Sequence, residues 1–516
     1  MAEPFGRFVP NDPAADNSTA INAALADPEV FGVILPPGNI RVDHAIVVPT
    51  GKFVRGAGRG VTRLVRTNNI SSSDYFDKAL IRSADNANGV RVSDLTVVSP
   101  KVNDKVQGVW MRGATNFEVE NVEALNCGYA FWAQEFARNG IFRDIISRNA
   151  NVHFETTQAT DILFENMTSS DGDADNPLGV EAVWHTLFGS KRITFRRGRH
   201  IGKGQPYLVI ADTGSGDAGL IDEILFEDCD AVNTDGKTLL FVNKLSATAS
   251  VNRVTLKDCN AVGGNTGSSA SLLGLFYLGN IVIEGGRGVC FSQQVYSVGA
   301  GATLKAIDHH VEVTAPTGAS GAVYAGVVQI IGGSIVVNSP LVLPVIGAAT
   351  TMTGTYVKQA AGLYLPGAAG EAVQYVYPID LPITNGGNQV VGEGTNQPRA
   401  RFTLTTGNVY RLRYRGKMRK GSGGYPAMSM LMEGTGGTIV SAAIAFEKDD
   451  GTIESLAPVA VGPYIAAGLA SVPANATRNF FLDITIKGNG TQLALNQGSS
   501  PATILAGSIM TIERIL

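Results

Sequence analysis

The chain is poor in charge, poor in cysteine and free of long apolar runs. Only 17 % of its 516 residues are charged and the net charge is −4, so the composition offers no overall basic surface of the kind that holds nucleic acid. No run of about 18 apolar residues occurs, which excludes a membrane-spanning helix and with it membrane insertion. The opening MAEPFGRFVPNDPA lacks the features of a signal peptide. The four cysteines are Cys127, Cys229, Cys259 and Cys290; Cys229 and Cys259 hold equivalent places thirty residues apart, which reads as an interior stack of free thiols, with a disulfide as the alternative.

Glycine, by contrast, is abundant, with 61 residues, and one short phrase keeps returning. It reads VRVSDLTV from Val90, FEVENVEA from Phe117, GIFRDIIS from Gly140 and ILFENMTS from Ile162. It continues as ITFRRGRH from Ile193, ILFEDCDA from Ile224, VTLKDCNA from Val254 and IVIEGGRG from Ile281. The third place is always apolar: Val92, Val119, Phe142, Phe164, Phe195, Phe226, Leu256, Ile283. The fifth is mostly Asp or Asn: Asp94, Asn121, Asp144, Asn166, Asp228, Asp258. A phrase recurring every 22 to 31 residues is the signature of a solenoid. Alternation makes each phrase a strand. Asn and Asp suit the bend that follows because they tolerate left-handed backbone.

Residues 16–27 predict one helix, capped by Asn17 or Ser18, with Ile21, Ala24 and Leu25 on its apolar side. It would cover the open end of the solenoid. After about residue 300 the phrase blurs, and 346–370 read as a linker. From 371 the chain turns to irregularly spaced strands with Gly-Asn and Asp-Gly turns, which predicts an antiparallel sandwich or jelly roll.

A resemblance joins these parts. The run Asn17-Ser18-Thr19-Ala20-Ile21-Asn22-Ala23-Ala24, then Leu35-Pro36-Pro37-Gly38, then Val54-Arg55-Gly56-Ala57-Gly58, resembles the opening of the pectate-lyase-like right-handed parallel β-helix family. The likeness is greatest to bacteriophage tailspikes and capsule depolymerases. The usual Phe-Gly-Ala-x-Gly-Asp-Gly is replaced here by Phe5-Gly6-Arg7-Phe8-Val9-Pro10-Asn11-Asp12. The fold class expected is all-β. An N-terminal segment (1–30) leads to a right-handed parallel β-helix (31–345), the linker (346–370) and a C-terminal antiparallel β-sandwich (371–516) for trimerisation or carbohydrate binding. The resemblance implies a homotrimeric tailspike depolymerase that hydrolyses a bacterial surface polysaccharide (capsule, exopolysaccharide or O-antigen). It implies a place on the virion tail, outside the cell, docked to a phage baseplate or adaptor protein; carriage on a particle also suits the missing signal peptide. A polysaccharide lyase acting on a uronate-containing glycan is the first alternative. A non-catalytic receptor-binding fibre is the second, because this fold hosts many activities.

Candidate chemistry gathers in the middle coils. Trp110, Trp132, Phe154 and Trp184 precede the apolar third place by nine, ten, ten and eleven residues, so they read as one column. Either that column is an interior stack, or it is an exterior platform on which sugar rings lie. If it points inward, Met111, Ala133, Glu155 and His185 point outward. Asp212 takes the matching place in the next coil, giving Glu155, His185 and Asp212 on adjacent outward rungs. Rungs are ~4.8 Å apart. Glu155 and Asp212 would then stand near the roughly 6.5–9.5 Å that inverting glycosidases keep between carboxyls. Two inserted segments border the face. One carries Asp171, Asp173 and Asp175; the other carries Asp217. Asp-x-Asp-x-Asp lacks the glycine and distal Glu of a calcium loop, so no metal and no cofactor is expected, and these aspartates are further catalytic candidates. A basic band follows, with Lys191, Arg192, Arg196, Arg197, Arg199, His200 and Lys203. It is either a solubilising surface paired with acids or a contact for acidic sugars. The substrate-binding residues expected are Trp184, Trp132, Arg192, Arg196, Arg199 and Tyr207.

Overall fold

In the computed structural model, the recurring phrases lie side by side as strands of one parallel sheet. Val92, Val119, Phe142, Phe164, Phe195, Phe226, Leu256 and Ile283 each stand opposite the next. All eight are buried. Their rings stack, at 4.6 Å between Phe142 and Phe164, 5.0 Å to Phe195 and 5.1 Å from there to Phe226. Each such phenylalanine stabilises the coil by roughly 1.5–3 kcal/mol through burial. The fifth place makes the bend: Asp94, Asn121, Asp144, Asn166, Asp228 and Asp258 all have φ between 52° and 58°. Amides and carboxylates alternate up part of this ladder. Asn121 Nδ2 donates to Asp94 Oδ1 at 2.8 Å, and Asn166 Nδ2 to Asp144 Oδ1 at 2.9 Å.

Beyond the bend each coil adds a strand to a second parallel sheet, as in Ile146–Arg148 and Asp230–Asn233, and then one to a third, as in Val152–Thr157 and Ala182–Leu187. The result is a right-handed parallel β-helix of about 9 turns with a C-terminal antiparallel β-sandwich. The residues described are 7–8, 15–67, 75–100, 106–171, 181–213, 219–235, 237–263, 273–290, 295–314, 324–338, 350–353, 355–359, 372–376, 381–383, 402–403, 407–420, 427–433, 438–447, 450–456, 459–461, 464–468, 477–487, 492–497, 502–505 and 508–515.

The chain divides into two compact units, residues 1–288 with 297–304, and residues 289–296 with 305–516. In the first, the helix Ser18–Ala26 buries Ile21, Ala24 and Leu25 as expected. Its cap differs from expectation. Neither Asn17 nor Ser18 caps through its side chain; instead Asp16 Oδ1 accepts the Ser18 N–H at 3.0 Å and the Asp43 N–H at 2.8 Å. Asn17 is turned away, donating to the carbonyls of Ala15 and Arg41. Asn22 docks the helix by imitating a strand, donating to the Ala45 carbonyl and accepting from the Val47 N–H, both at 2.9 Å. The four cysteines are buried, and Cys127, Cys229 and Cys259 are free thiols.

In the second unit, parallel pairing runs through His310–Thr314, Ser334–Asn338 and Tyr356–Gln359, so it enters the stretch read as a linker. An antiparallel sheet then pairs Val409–Lys420 with Thr477–Lys487 and Ile509–Arg514. A separate antiparallel sheet holds Ala427–Glu433, Tyr464–Gly468 and Gln492–Gln497.

Candidate active site

The third sheet carries the candidate chemistry, and its register decides which side chains meet. Phe131, Phe154, Trp184 and Tyr207 stand opposite one another on successive rungs. All are buried, and they pack against the first sheet's ladder: Phe131 against Phe142 and Tyr207 against Phe226 are edge-to-face contacts. This column is the interior one. The next residues along, Trp110, Trp132, Glu155, His185 and Leu208, form the adjacent column. Alternation turns it away from the interior column, yet all five of its residues are buried.

The expected register therefore fails at several places. Trp110 and Trp132 do not share a column with Phe154 and Trp184; they share one with Glu155 and His185. Met111 and Ala133, expected outside, are wholly buried and align with Thr156 and Thr186. The corner preceding each strand varies in length, and a shift of one residue exchanges the two faces. His153 and Phe154 are both inward, a break in alternation where the chain rounds the corner; His153 bonds Ser147 of the second sheet and Phe154 packs edge-on against Phe164. Aligning on Phe131 rather than Trp132 would have exposed this, since YAFW, VHFE and AVWH then superpose.

Asp212 does not complete a trio. Leu208 occupies the rung beside His185. Asp212 lies four residues further along and two rungs from Glu155, a backbone separation of roughly 16 Å. That exceeds the window for two carboxyls flanking one bond. Asp212 instead accepts from the Thr213 N–H at 2.8 Å and from the Ser246 hydroxyl. Trp184 and Tyr207 are interior, so no sugar ring stacks on them; the Tyr207 hydroxyl donates to the Cys229 carbonyl at 2.8 Å.

What remains together is a buried pair. Glu155 and His185 are 2 % and 3 % exposed, and His185 Nδ1 lies 3.0 Å from Glu155 Oε2. The other carboxylate oxygen accepts from the Thr157 hydroxyl at 2.9 Å. Thr157 in turn accepts from the Trp132 indole N–H at 3.0 Å. Sequence reasoning missed Thr157, although its place two residues after Glu155, on the same face of one strand, was available. Tyr129 stacks on Trp132 at 4.7 Å, and Trp110 lies 5.5 Å from Trp132, so an aromatic cluster adjoins the pair. His185 Nε2 is shielded from solvent and has no hydrogen-bond partner among the described residues. An orphaned buried group costs roughly 1–3 kcal/mol.

The basic band is mostly neutralised. Arg192 grips Asp161 at 2.6 and 2.8 Å, and this guanidinium holds the Asp161 carboxyl below its ordinary range. Arg196 pairs with Glu227 at 2.7 Å, and Arg197 with Glu165. Arg192 and Arg196 thus serve as paired surface charges rather than free sugar contacts. Arg199 has no ion pair among the described residues. It lines an open polar cleft of about 560 Å³ with Asn166, Asp228, Asp230, Asp258 and Asn260. Asp171 is half-buried, with Oδ2 accepting the Lys203 N–H at 2.5 Å. Burial pushes its carboxyl up, the Lys203 hydrogen bond opposes this, and Asp235 adds to the rise. Asp173, Asp175 and Asp217 lie outside the described residues. Among the described residues no group of acidic, histidine and cysteine side chains could hold a metal ion, and no helix is long and apolar enough to cross a membrane.

No family model matches the sequence, and no curated protein matches it either. Solved structures do match in shape. A double mutant of the tailspike protein of E. coli bacteriophage HK620 aligns at TM-score 0.51 and 10 % identity, over 96 % of this chain and 91 % of that one. A single mutant of the same tailspike, in complex with a pentasaccharide, aligns at TM-score 0.50, with the same identity and coverage. The A-module of the Azotobacter vinelandii mannuronan C-5 epimerase AlgE6 reaches 20 % identity over 66 % of this chain and 95 % of that one, at TM-score 0.45. These structural neighbours are tailspike and pectate-lyase-like β-helix proteins, and the two tailspike alignments establish a shared fold.

Proposed function

We propose that this chain is a tailspike-type depolymerase that binds a bacterial surface polysaccharide and cleaves it, with glycoside hydrolysis as the reaction class. The observation that carries this reading is the Glu155–His185 pair, two proton-exchanging groups held 3.0 Å apart on the column turned away from the interior, beside an aromatic cluster. A histidine oriented by a carboxylate can take a proton from water at neutral pH. The complementary acid comes from Asp171, Asp173 or Asp217; among these, the Asp171 carboxyl, pushed up by burial, has the character of a proton donor. Arg199 contributes to glycan contact at the polar cleft.

One observation favours a second reading. Both oxygens of Glu155 are already engaged, so a single free base, His185 Nε2, remains at the pair. Elimination at a uronate needs one base: it takes the proton beside the carboxylate, a carbon–carbon double bond forms, the glycosidic C–O bond breaks, and the departing oxygen takes a proton from the imidazolium or from water. Incubating purified protein with capsule and O-antigen preparations separates the readings. Shortened chains without new ultraviolet absorption support hydrolysis, and shortened chains with the absorption of an unsaturated sugar support the lyase. Binding with no change in chain size removes both and leaves an attachment fibre.

The chain acts as a homotrimer on the virion tail, docked to a baseplate or adaptor protein, in the same proposal. Apolar exposure in the second unit supports assembly: Val440 is 62 % exposed and Ile453 56 %, on the paired strands Thr438–Glu447 and Ile453–Leu456. The domain division proposed keeps trimerisation in the C-terminal sandwich.

A further inference from the structure

The hydrogen bonds around Glu155 have a fixed direction, and the direction starts at Trp132. An indole N–H can only donate. Its bond to Thr157 Oγ1, at 3.0 Å, therefore makes that oxygen an acceptor there. The hydroxyl proton of Thr157 must then point elsewhere, and Glu155 Oε1 is 2.9 Å away to receive it. An ionised carboxylate only accepts, so the other contact, from Glu155 Oε2 to His185 Nδ1 at 3.0 Å, requires the proton to sit on the imidazole nitrogen. A neutral imidazole has one proton. With it on Nδ1, the lone pair is left on Nε2, the atom that is shielded and has no partner among the described residues.

We propose that Trp132 and Thr157 are positioning residues that lock His185 as the Nδ1–H tautomer, so that Nε2 is a ready base and Glu155 an orienting group that does not itself donate a proton to the substrate. This deepens the reading of Glu155 and His185 as the proton-transfer pair and rests on it for its catalytic meaning. The arrangement itself is independent of that reading. It reassigns two residues. Trp132, expected to stack against sugar, acts through its N–H. Glu155, expected to be a general acid or base, acts through His185. The relay also explains why buried polar groups are tolerated on this column: Trp132 turns the Thr157 hydroxyl toward Glu155, that donor favours the carboxylate form of Glu155, and the carboxylate takes the Nδ1 proton of His185.

The test needs no knowledge of the glycan. Full-length protein labelled with nitrogen-15 at histidine gives signals from six rings, and the His185→Gln variant identifies the one that belongs to His185. The expected wild-type pattern for the neutral ring is a protonated Nδ1 and a bare Nε2. Thr157→Val, which keeps the side-chain shape, removes the proton donated to Glu155 and should produce a mixture of tautomers. Thr157→Ser should restore the wild-type pattern. Trp132→Phe frees the Thr157 hydroxyl to turn and should lower the Nδ1–H fraction without abolishing it. A wild-type His185 whose neutral ring carries its proton on Nε2 overturns the proposal, and so does a Thr157→Val spectrum identical to wild type. On a cleaved glycan, Thr157→Val should lower kcat about tenfold with KM unchanged, and Thr157→Ser should recover it. If the tautomer pattern holds but no glycan is cleaved, the relay stands and the depolymerase reading falls.

Discussion

Two histidines inside the coils should make the first unit lose stability in mild acid. His153 and His200 are buried, with ring centres 5.8 Å apart. His200 Nδ1 faces the Ser169 hydroxyl at 3.0 Å, and its Nε2 faces the Lys203 carbonyl at 3.1 Å, so the neutral ring is satisfied at both ends. Burial lowers its pKa to about 4. Burial, and secondarily His200, holds His153 well below its ordinary value. Both rings are neutral when folded and take up protons near pH 6.5 when unfolded, so the unfolded state binds more protons and stability rises with pH. The contribution is complete above about pH 6.5 and is lost as pH falls toward the folded values. From pH 8 to pH 5, a histidine at about 4 folded and 6.5 unfolded loses about 2 kcal/mol, and His153 adds to this in the same direction. Carboxyls held low in the fold, such as Asp161 and Glu165, act only below their unfolded values near 4, outside this interval. Urea unfolding followed by tryptophan fluorescence reads the relevant unit, since Trp110, Trp132 and Trp184 all lie in it. The wild type should lose at least 2 kcal/mol more than the His153→Gln, His200→Gln double variant between these pH values, roughly a thirtyfold change in the folding equilibrium. Equal losses in the two proteins would refute the reasoning.

Glu155→Gln and His185→Gln should each lower turnover at least about a hundredfold while leaving the circular dichroism spectrum intact, whereas Asp212→Asn should keep near-full activity; full activity in the first two would move the chemistry to the inserted segments. Gly198→Ala should destabilise the first unit by about 1–3 kcal/mol, because the added carbon would stand 2.7 Å from Cζ2 of the buried Trp184; an unchanged melting curve would contradict that packing. Light scattering at micromolar concentration should give three times the 54.1 kDa chain, and a mass of one chain rules the trimer out.

The fold was legible because its period is written in residue types that have little choice. An apolar third place must be interior, and an Asn or Asp at the fifth accepts positive φ, so Val92 through Ile283 could be aligned without seeing them folded. The paired arginines were legible as one of two stated readings, since each acid partner sits on a neighbouring rung. The outward face was harder to read. Trp132 and Phe131 are adjacent aromatics, either of which fits an interior column, and the corner before them has no residue that fixes its length. One wrong residue there moved Trp132 to the wrong side, and a separate four-residue error in a later coil gave Asp212 a place that belongs to Leu208. Nothing in the composition signals that Thr157 stands between an indole and a carboxylate; that follows only once the strand's face is known.

The ladder of bends also gives the molecule a chemical age. Where Asn121 donates to Asp94 and Asn166 to Asp144, each rung depends on a side-chain amide, and asparagine is one of the thermolabile residues. Hydrolysis of either amide would turn a donor into a second carboxylate, replacing attraction by repulsion with no change in chain length or shape. Asp228 and Asp258, adjacent acids in the same ladder, have no such amide to lose. Within this ladder, spontaneous ageing would therefore start at the bends of Asn121 and Asn166 and spare those of Asp228 and Asp258.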